Sequence, residues 1–204
     1  MNGNWKFSVF EKTFSGYLEQ VNNLDPGSLR DRLGINLNED EIAVSVLNRK
    51  YFISKKDVTD SSGKRPSFDI CIIILKYLMT NRTGFPSVAE WCSYRDLRDS
   101  GPLTVYFRDN VEQAFSDYFS GNISTLKSAC INIGGKRPED NFTHDISMIF
   151  NFLPRVPLLL LFNDKDEEFP ASCSLLFERR SENYLDAECL AMTGRVLFDE
   201  IRKE

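Results

Sequence analysis

The fold depends most on the stretch Asp145–Phe177, which reads DISMIFNFLPRVPLLLLFNDKDEEFPASCSLLF. Apolar residues alternate through its first part and predict a strand over 146–152 with one apolar face. Leu158–Phe162 is apolar on both faces, as expected for a strand covered on both sides, and Ser172–Phe177 predicts a third strand. Two prolines enclose a tight loop at 154–157, and an acidic turn separates the second strand from the third. We therefore expect the central sheet, and a site at its rim, within this stretch.

The rest of the chain combines helices with short strands. Apolar spacings of three and four residues, with capping signals, predict helices over 6–22, 28–33, 67–80, 111–119, 124–133 and 186–201. The run 67–80 also contains three consecutive isoleucines typical of a strand, but its length favours a helix. A hairpin is predicted over 42–53 with its turn at Asn48-Arg49, a loop over Asp57–Pro66, and a strand over Trp91–Leu97.

Hairpins interrupted by helices, without regular β-α-β alternation, predict an α+β fold. We expect a single domain over residues 1–204, in which a mainly antiparallel central sheet is packed by helices. The N-terminal helix is a candidate peripheral element. This length can bury a sizeable core without disulfides or metals.

Charge and cysteine usage argue against several classes of function. The net charge is -5 and the basic residues are scattered, so we expect no nucleic-acid partner. The five cysteines are far apart and form no C-x-x-C motif. No single local motif therefore supplies a zinc site or a four-cysteine iron–sulfur cluster. Reduced thiols, together with the lack of a signal peptide or an apolar run of membrane length, predict a soluble cytoplasmic protein with no membrane partner.

The acidic turn is the first candidate site. Several carboxylates on one turn could hold Mg²⁺ or Ca²⁺, and the candidate metal ligands are Asp164, Asp166, Glu167 and Glu168. The EF-hand pattern is not met, because Phe169 stands where its glycine would be. The alternative is a solvated turn that keeps two apolar strands soluble.

Three further residues are candidates for ligand binding. Arg155 is presented by a loop that two prolines restrict, and Arg95 could place its guanidinium on a ligand carboxylate or phosphate. Asp145, beside the single histidine His144, is the third. The alternatives are a solvated Arg155 and a surface ion-pair cluster around Arg95. No nucleophile motif or glycine-rich phosphate loop accompanies them, so catalytic residues and any cofactor stay unknown.

The order of motifs resembles an uncharacterised bacterial and archaeal family, domain of unknown function 3786. The resemblance is carried by Leu33-Gly34-Ile35, the hairpin into Tyr51, Leu75-Lys76-Tyr77-Leu78, Trp91–Leu97, Gly134-Gly135, Asp145, Phe152–Pro157, Asp166–Ala171, Leu176-Phe177 and Tyr184–Glu188. The family brings no established activity. Some members look to be joined to a four-cysteine iron–sulfur domain of the kind seen with corrinoid proteins, whereas this chain has no cysteine cluster.

Two hypotheses about function follow. The first, motivated by the resemblance, is a non-catalytic module that binds a small-molecule ligand, cofactor or protein partner in anaerobic, iron–sulfur or corrinoid-associated metabolism. The second is a divalent-cation-dependent hydrolase or transferase that uses the acidic turn 164–168, with Arg155 or Arg95 as an anion clamp. A structural subunit with an aromatic oligomer interface is a third possibility, and the oligomeric state stays open.

Overall fold

The structure is a computed structural model that describes residues 4–37, 42–80 and 90–204. The α-helices of these residues are Asn4–Asn22 (α1), Pro26–Leu33 (α2), Phe68–Met79 (α3), Thr104–Phe107 (α4), Gln113–Phe119 (α5), Ile123–Asn132 (α6) and Ala187–Ile201 (α7). The strands are Asn36–Leu37 (β1), Ile42–Val46 (β2), Arg49–Ile53 (β3), Val58–Asp60 (β4), Trp91–Ser93 (β5), Ile146–Leu153 (β6), Val156–Asn163 (β7) and Ser172–Glu178 (β8).

The described strands form two antiparallel sheets of four strands each. The first sheet has the order β1-β2-β3-β4 and follows the chain as a meander. The second has the order β5-β8-β7-β6, so β5 pairs at its edge with a strand that comes much later in the chain. Helices pack against both sheets, and the predicted α+β class is confirmed. None of the described helices is both long and apolar enough to cross a membrane.

The hairpin β6–β7 forms as the sequence predicts, with β7 in the interior of the second sheet and β6 at its edge. Its register places Asn151 opposite Pro157 and shifts at a bulge between Asn151 and Leu153. Pro157 is tolerated because β8 pairs with β7 only from Leu158 onward, so the missing N–H lies outside that ladder. Both faces of β7 are covered, and Leu158 is fully buried. This explains why the strand is apolar at every position from Val156 to Phe162 rather than at alternate ones.

Capping residues place the helix boundaries close to the predicted ones. The Ser67 side chain accepts a hydrogen bond from the N–H of Ile70 at the start of α3, and Asp186 accepts one from Cys189 at the start of α7. Helix α2 ends at Gly34, whose φ of 67° is the left-handed conformation that glycine adopts without strain. The predictions of a helix over 67–80 and of its N-cap are confirmed.

The turn of the first hairpin differs from the prediction. It lies at Leu47-Asn48, and Arg49 already belongs to β3. Leu47 has a φ of 54°, which a branched side chain disfavours, but its N–H donates to the carbonyl of Phe152 in the second sheet at 2.9 Å. The Asn48 amide donates to the carbonyl of Asn132 at 2.7 Å. These hydrogen bonds to residues far away in the sequence fix the position of the turn, and local turn preferences do not predict them.

Three other boundaries are also different. The predicted loop 57–66 contains β4, because Val58 is fully buried and pairs with β3. The strand predicted over 91–97 ends at Ser93, and a 3-10 turn over Tyr94–Asp96 buries Tyr94. The helix predicted from 111 begins at Thr104 and passes through a π-helical turn, Arg108–Glu112, before α5.

Candidate functional site

Strand β7 separates the residues that were predicted to share a site. Arg155 lies in the turn before the strand, and Asp164 follows its last residue. At roughly 3.3 Å per residue, the eight residues of β7 place these ends about 26 Å apart. A single pocket therefore does not contain both Arg155 and the acidic turn.

One of its own carboxylates closes the acidic turn. Oδ1 of Asp166 accepts hydrogen bonds from the N–H groups of Phe169 and Glu168 at 2.7 and 2.8 Å, and these bonds lower the pKa of Asp166. Within the described residues, no three His, Cys, Asp or Glu side chains are grouped so that they could hold a metal ion. A metal bound by Asp164, Asp166, Glu167 and Glu168 stays a prediction without geometric support.

Asp164 and Asp145 join neighbouring segments at the acidic end of the sheet. Oδ1 of Asp164 accepts hydrogen bonds from the N–H of Gly121 at 2.6 Å and from that of Lys165 at 2.8 Å. Oδ2 of Asp145 accepts one from the N–H of Asp164 at 2.8 Å, which ties the start of β6 to the end of β7. Both aspartates therefore have a structural role, since each joins two segments of the chain. Ligand binding by Asp145 stays a prediction.

Arg155 is packed into the fold. A Cβ added to Gly34 would lie 3.6 Å from its Nε, and this Nε is buried without a hydrogen-bond partner. The Tyr77 hydroxyl, which lies near the backbone of Arg155, donates to the carbonyl of Leu33 at 2.7 Å. The arginine turn is thus anchored on α2 and α3, and ligand binding by Arg155 stays a prediction.

Arg95, in contrast, lines an open cavity of about 330 Å³ at the edge of the second sheet, which we call the Arg95 cavity. Its polar lining residues are Ser93, Arg95, Thr104, Arg108, Glu112 and Ser174. They come from β5 and the 3-10 turn that follows it, from α4 and the π-helical turn, and from β8. Residues far apart in sequence are therefore collected around one small space, which is the usual architecture of a binding site.

Two stacked rings line the same cavity. The Tyr94 and Phe107 rings have centroids 4.3 Å apart and an interplanar angle of 13°. The Tyr94 hydroxyl donates to the carbonyl of Ala187 at 2.9 Å, which fixes this ring on the start of α7. Gly194 lets α7 approach, since a Cβ there would lie 2.7 Å from the Phe107 ring. This side of the cavity is consequently rigid.

Glu112 is the most informative residue of the cavity. β5 ends at Ser93, opposite Leu176, so Leu175 has no partner strand on that side, and its N–H donates to Oε1 of Glu112 at 3.1 Å. Within the described residues, Oε2 of Glu112 accepts no hydrogen bond. Burial raises the pKa of Glu112, whereas the Leu175 N–H and the Arg95 charge lower it by less. The carboxylate thus has one oxygen held by the protein and one available to a ligand.

The two arginines of the cavity keep free donors. The Arg95 side chain is 75% exposed, and its Nε lies 3.8 Å from Asp96, whose carboxylate also accepts the Ser93 hydroxyl hydrogen bond. The Nε of Arg108 lies 2.7 Å from Asp109 on the surface. A guanidinium has five N–H donors, so neither surface contact occupies the whole group.

Sequence reasoning selected Arg95 but missed Glu112 and Arg108. A signal for Glu112 is present in the helical pattern: Phe115 and Phe119, both buried, follow it by three and seven residues and place it on the apolar face. A carboxylate at such a position is unusual enough to indicate a special role. The π-helical turn that ends at Glu112 has no comparable signal, although such turns are frequent at functional sites.

The fold and the cavity define a class: an α+β protein with two antiparallel sheets and a small polar cavity at the edge of one of them. The chain belongs to the family described as Domain of unknown function (DUF3786), whose model matches residues 25–200. The resemblance noted in the sequence is therefore confirmed. No curated protein and no solved structure shows a significant match to the chain.

Proposed function

We propose that this protein is a binding module whose Arg95 cavity holds a small zwitterionic molecule of the amino-acid type. The observation that carries the proposal is the available carboxylate oxygen of Glu112 inside a cavity that Arg95 and Arg108 also line. Arginine matches a carboxylate by paired N–H···O bonds, and Glu112 matches an ammonium group. The cavity volume of about 330 Å³ lies at the small end of ligand pockets.

The cellular setting belongs to the same proposal. All five cysteines are free thiols, which supports a reducing compartment such as the cytoplasm. The setting in anaerobic, iron–sulfur or corrinoid-associated metabolism is supported by the family resemblance alone. The binding proposal does not depend on it, because no residue of the cavity is a thiolate or another iron–sulfur ligand.

Calorimetric titration with matched ligands tests the proposal. The panel contains the common α-amino acids, carboxylic acids of the same size without the amine, and amines of the same size without the carboxylate. We expect the amino acids to bind, and each half-molecule to bind at least about tenfold more weakly, a difference of about 1.4 kcal/mol. The absence of binding by every amino acid in the panel would overturn the proposal.

Two substitutions locate the site. We expect Arg95→Gln and Glu112→Gln each to weaken binding by at least about tenfold, because each removes one charge complementary to the ligand. Gln at 112 still accepts the Leu175 hydrogen bond, so the local fold is kept. Arg30→Gln, at an exposed position on α2, is the matched control and should bind as the wild type does. Unchanged binding in Arg95→Gln would contradict the assignment.

The raised pKa of Glu112 adds a test by pH. The native state binds the proton more tightly than the unfolded state, so ionisation of Glu112 costs stability as pH rises above its ordinary pKa of 4.5. Chemical denaturation at several pH values should show a smaller loss in Glu112→Gln than in the wild type, and the remaining loss includes that of Asp69, whose pKa burial also raises. Ligand affinity should change in the opposite direction, falling as acid neutralises Glu112.

A further inference from the structure

A second cavity, which we call the basic groove, opens on the first sheet and measures about 980 Å³. It lies between the start of β3, the loop 60–67 and the C-terminal end of α7. It shares no lining residue with the Arg95 cavity. Five basic residues and only two acidic ones line it, although the whole chain has a net charge of -5. The groove is therefore opposite in charge to the protein around it.

One buried carboxylate organises one wall of the basic groove. Glu200 is only 7% exposed, and its carboxylate oxygens lie 2.8 Å from Nη1 of Arg49 and 2.5 Å from Nζ of Lys203. A single negative charge thus faces two positive ones, and both cations have exposed side chains. Glu200 thus holds Arg49 and Lys203 in place, and the three side chains together keep a net positive charge that attracts an anionic ligand.

The other acidic residue of the groove is already occupied. Oδ1 of Asp60 accepts hydrogen bonds from the N–H and the hydroxyl of Ser62 at 2.8 and 2.6 Å and from the N–H of Lys64 at 3.0 Å. Neither Lys64 nor Lys50 forms an ion pair with another of the described residues. The lysine charges on this wall are therefore not compensated by contact.

Arg65 holds the loop of the groove in position, and its charge is already paired with two carboxylates. Its guanidinium lies 2.7 Å from Asp57 and 2.8 Å from Glu11, and it stacks 4.4 Å above the centre of the Phe14 ring. These contacts hold the loop 60–67 against α1. The next residues lead to Ser67, the N-cap of the twelve-residue helix α3, whose positive end opens into the groove.

We propose that the basic groove binds a small molecule that carries two or more phosphate groups, such as a nucleoside diphosphate. Lys64, Lys203 and Arg49 line the space with three cationic groups, of which Lys203 and Arg49 share one carboxylate, and this excess of charge suits an anion of several charges better than a single carboxylate. The volume of about 980 Å³ suits a nucleotide and is about three times that of the Arg95 cavity. This site is independent of the proposed function.

Calorimetric titration with ADP, inorganic pyrophosphate and inorganic phosphate tests the site. We expect ADP and pyrophosphate to bind more tightly than phosphate, and all three to weaken as salt rises, because the attraction is mainly electrostatic. The double variant Lys64→Gln, Lys203→Gln should lose at least about tenfold in affinity for pyrophosphate. It leaves Arg49 to pair with Glu200, so the buried carboxylate stays compensated.

The matched control is Lys55→Gln, Lys56→Gln. These exposed lysines lie in the turn between β3 and β4, at the end of that hairpin away from Arg49 and Asp60. This control should bind pyrophosphate as the wild type does. Arg95→Gln should also bind pyrophosphate as the wild type does, and this result would show that the basic groove is distinct from the Arg95 cavity.

Three results would overturn the proposal. One is the absence of ADP and pyrophosphate binding at millimolar concentration. Another is equal binding by the wild type and the Lys64, Lys203 variant. The third is light scattering that shows self-association abolished in this variant, since the groove would then hold the acidic surface of a second copy instead of a phosphate compound.

Discussion

The two ends of strand β7 differ in nearly every physical respect. At the turn end, residues 152–156, the chain is packed: Phe152 is fully buried, and its carbonyl accepts a hydrogen bond from Leu47 of the other sheet. At the acidic end, residues 164–170, Phe169 is 66% exposed and the hydrogen bonds of Asp166 stay within the turn. The same strand thus connects a structural junction to a solvated loop.

This difference shows why a similar sequence pattern had two outcomes. A charged side chain within two residues of a proline occurs at both ends, in Pro154-Arg155 and in Glu168-Phe169-Pro170. Arg155 became half-buried because the end of α2 at Gly34 and Tyr77 of α3 lie close to its turn. Among the described residues, the acidic turn is joined to other segments by the hydrogen bonds of Asp164 with Gly121 and Asp145. Neither end lines the Arg95 cavity, which lies instead at the β5–β8 edge of the same sheet.

The largest expected effect is at the turn end. Phe152→Ala removes a fully buried ring next to the contact between the two sheets. We expect the free energy of unfolding to fall by about 3–5 kcal/mol, the usual cost of an aromatic cavity in a core. Urea denaturation followed by circular dichroism measures it, and a loss below about 1 kcal/mol would show that this end is not the packed junction described.

A smaller loss is expected for Tyr77→Phe, which keeps the ring and removes the hydroxyl. The carbonyl of Leu33 then loses its 2.7 Å hydrogen bond in a buried place, at an expected cost of about 1–3 kcal/mol. Tyr118→Phe, at an exposed position, is the control and should leave stability unchanged. Equal denaturation midpoints for the wild type and Tyr77→Phe would contradict the anchoring of the Arg155 turn.

Phe169→Ala should change stability by less than about 0.5 kcal/mol, because its ring is already in contact with water. Phe152→Ala and Phe169→Ala make the same chemical change at the two ends of β7. The difference between their losses of unfolding free energy therefore compares the two ends directly. A cost for Phe169→Ala close to that for Phe152→Ala would mean that a contact covers the acidic turn in solution.

The smallest effect is local and depends on pH. The lowered pKa of Asp166 means that its stabilising contribution is present above the ordinary carboxyl pKa of 3.8 and is lost as pH falls through the lowered value. Acid should therefore release the Phe169 and Glu168 N–H groups, which NMR amide exchange can detect. In Asp166→Asn this pH dependence should disappear. Amide protection of Phe169 that is independent of pH in the wild type would refute the carboxylate's role.

The sequence by itself determined the features that depend on neighbours along the chain. Alternation and continuous apolarity predicted β6, β7 and β8, and the caps Ser67 and Asp186 placed two helices. These succeed because the periodicity of burial and the first hydrogen bonds of a helix involve residues within a few positions of one another. Arg95 was selected from local sequence as well, as a guanidinium that could bind a ligand carboxylate or phosphate.

The tertiary structure alone decided the division into two sheets, the Leu47-Asn48 turn and the role of Glu112. β5 pairs with residues that lie 83 to 87 positions later in the chain, and the N–H of Leu47, at the turn, donates to the carbonyl of Phe152 in the other sheet. Glu112 became a cavity carboxylate because β5 stops one residue short of Leu175. In each case the deciding partner is distant in sequence, so its hydrogen-bonding and burial energies are absent from any local pattern.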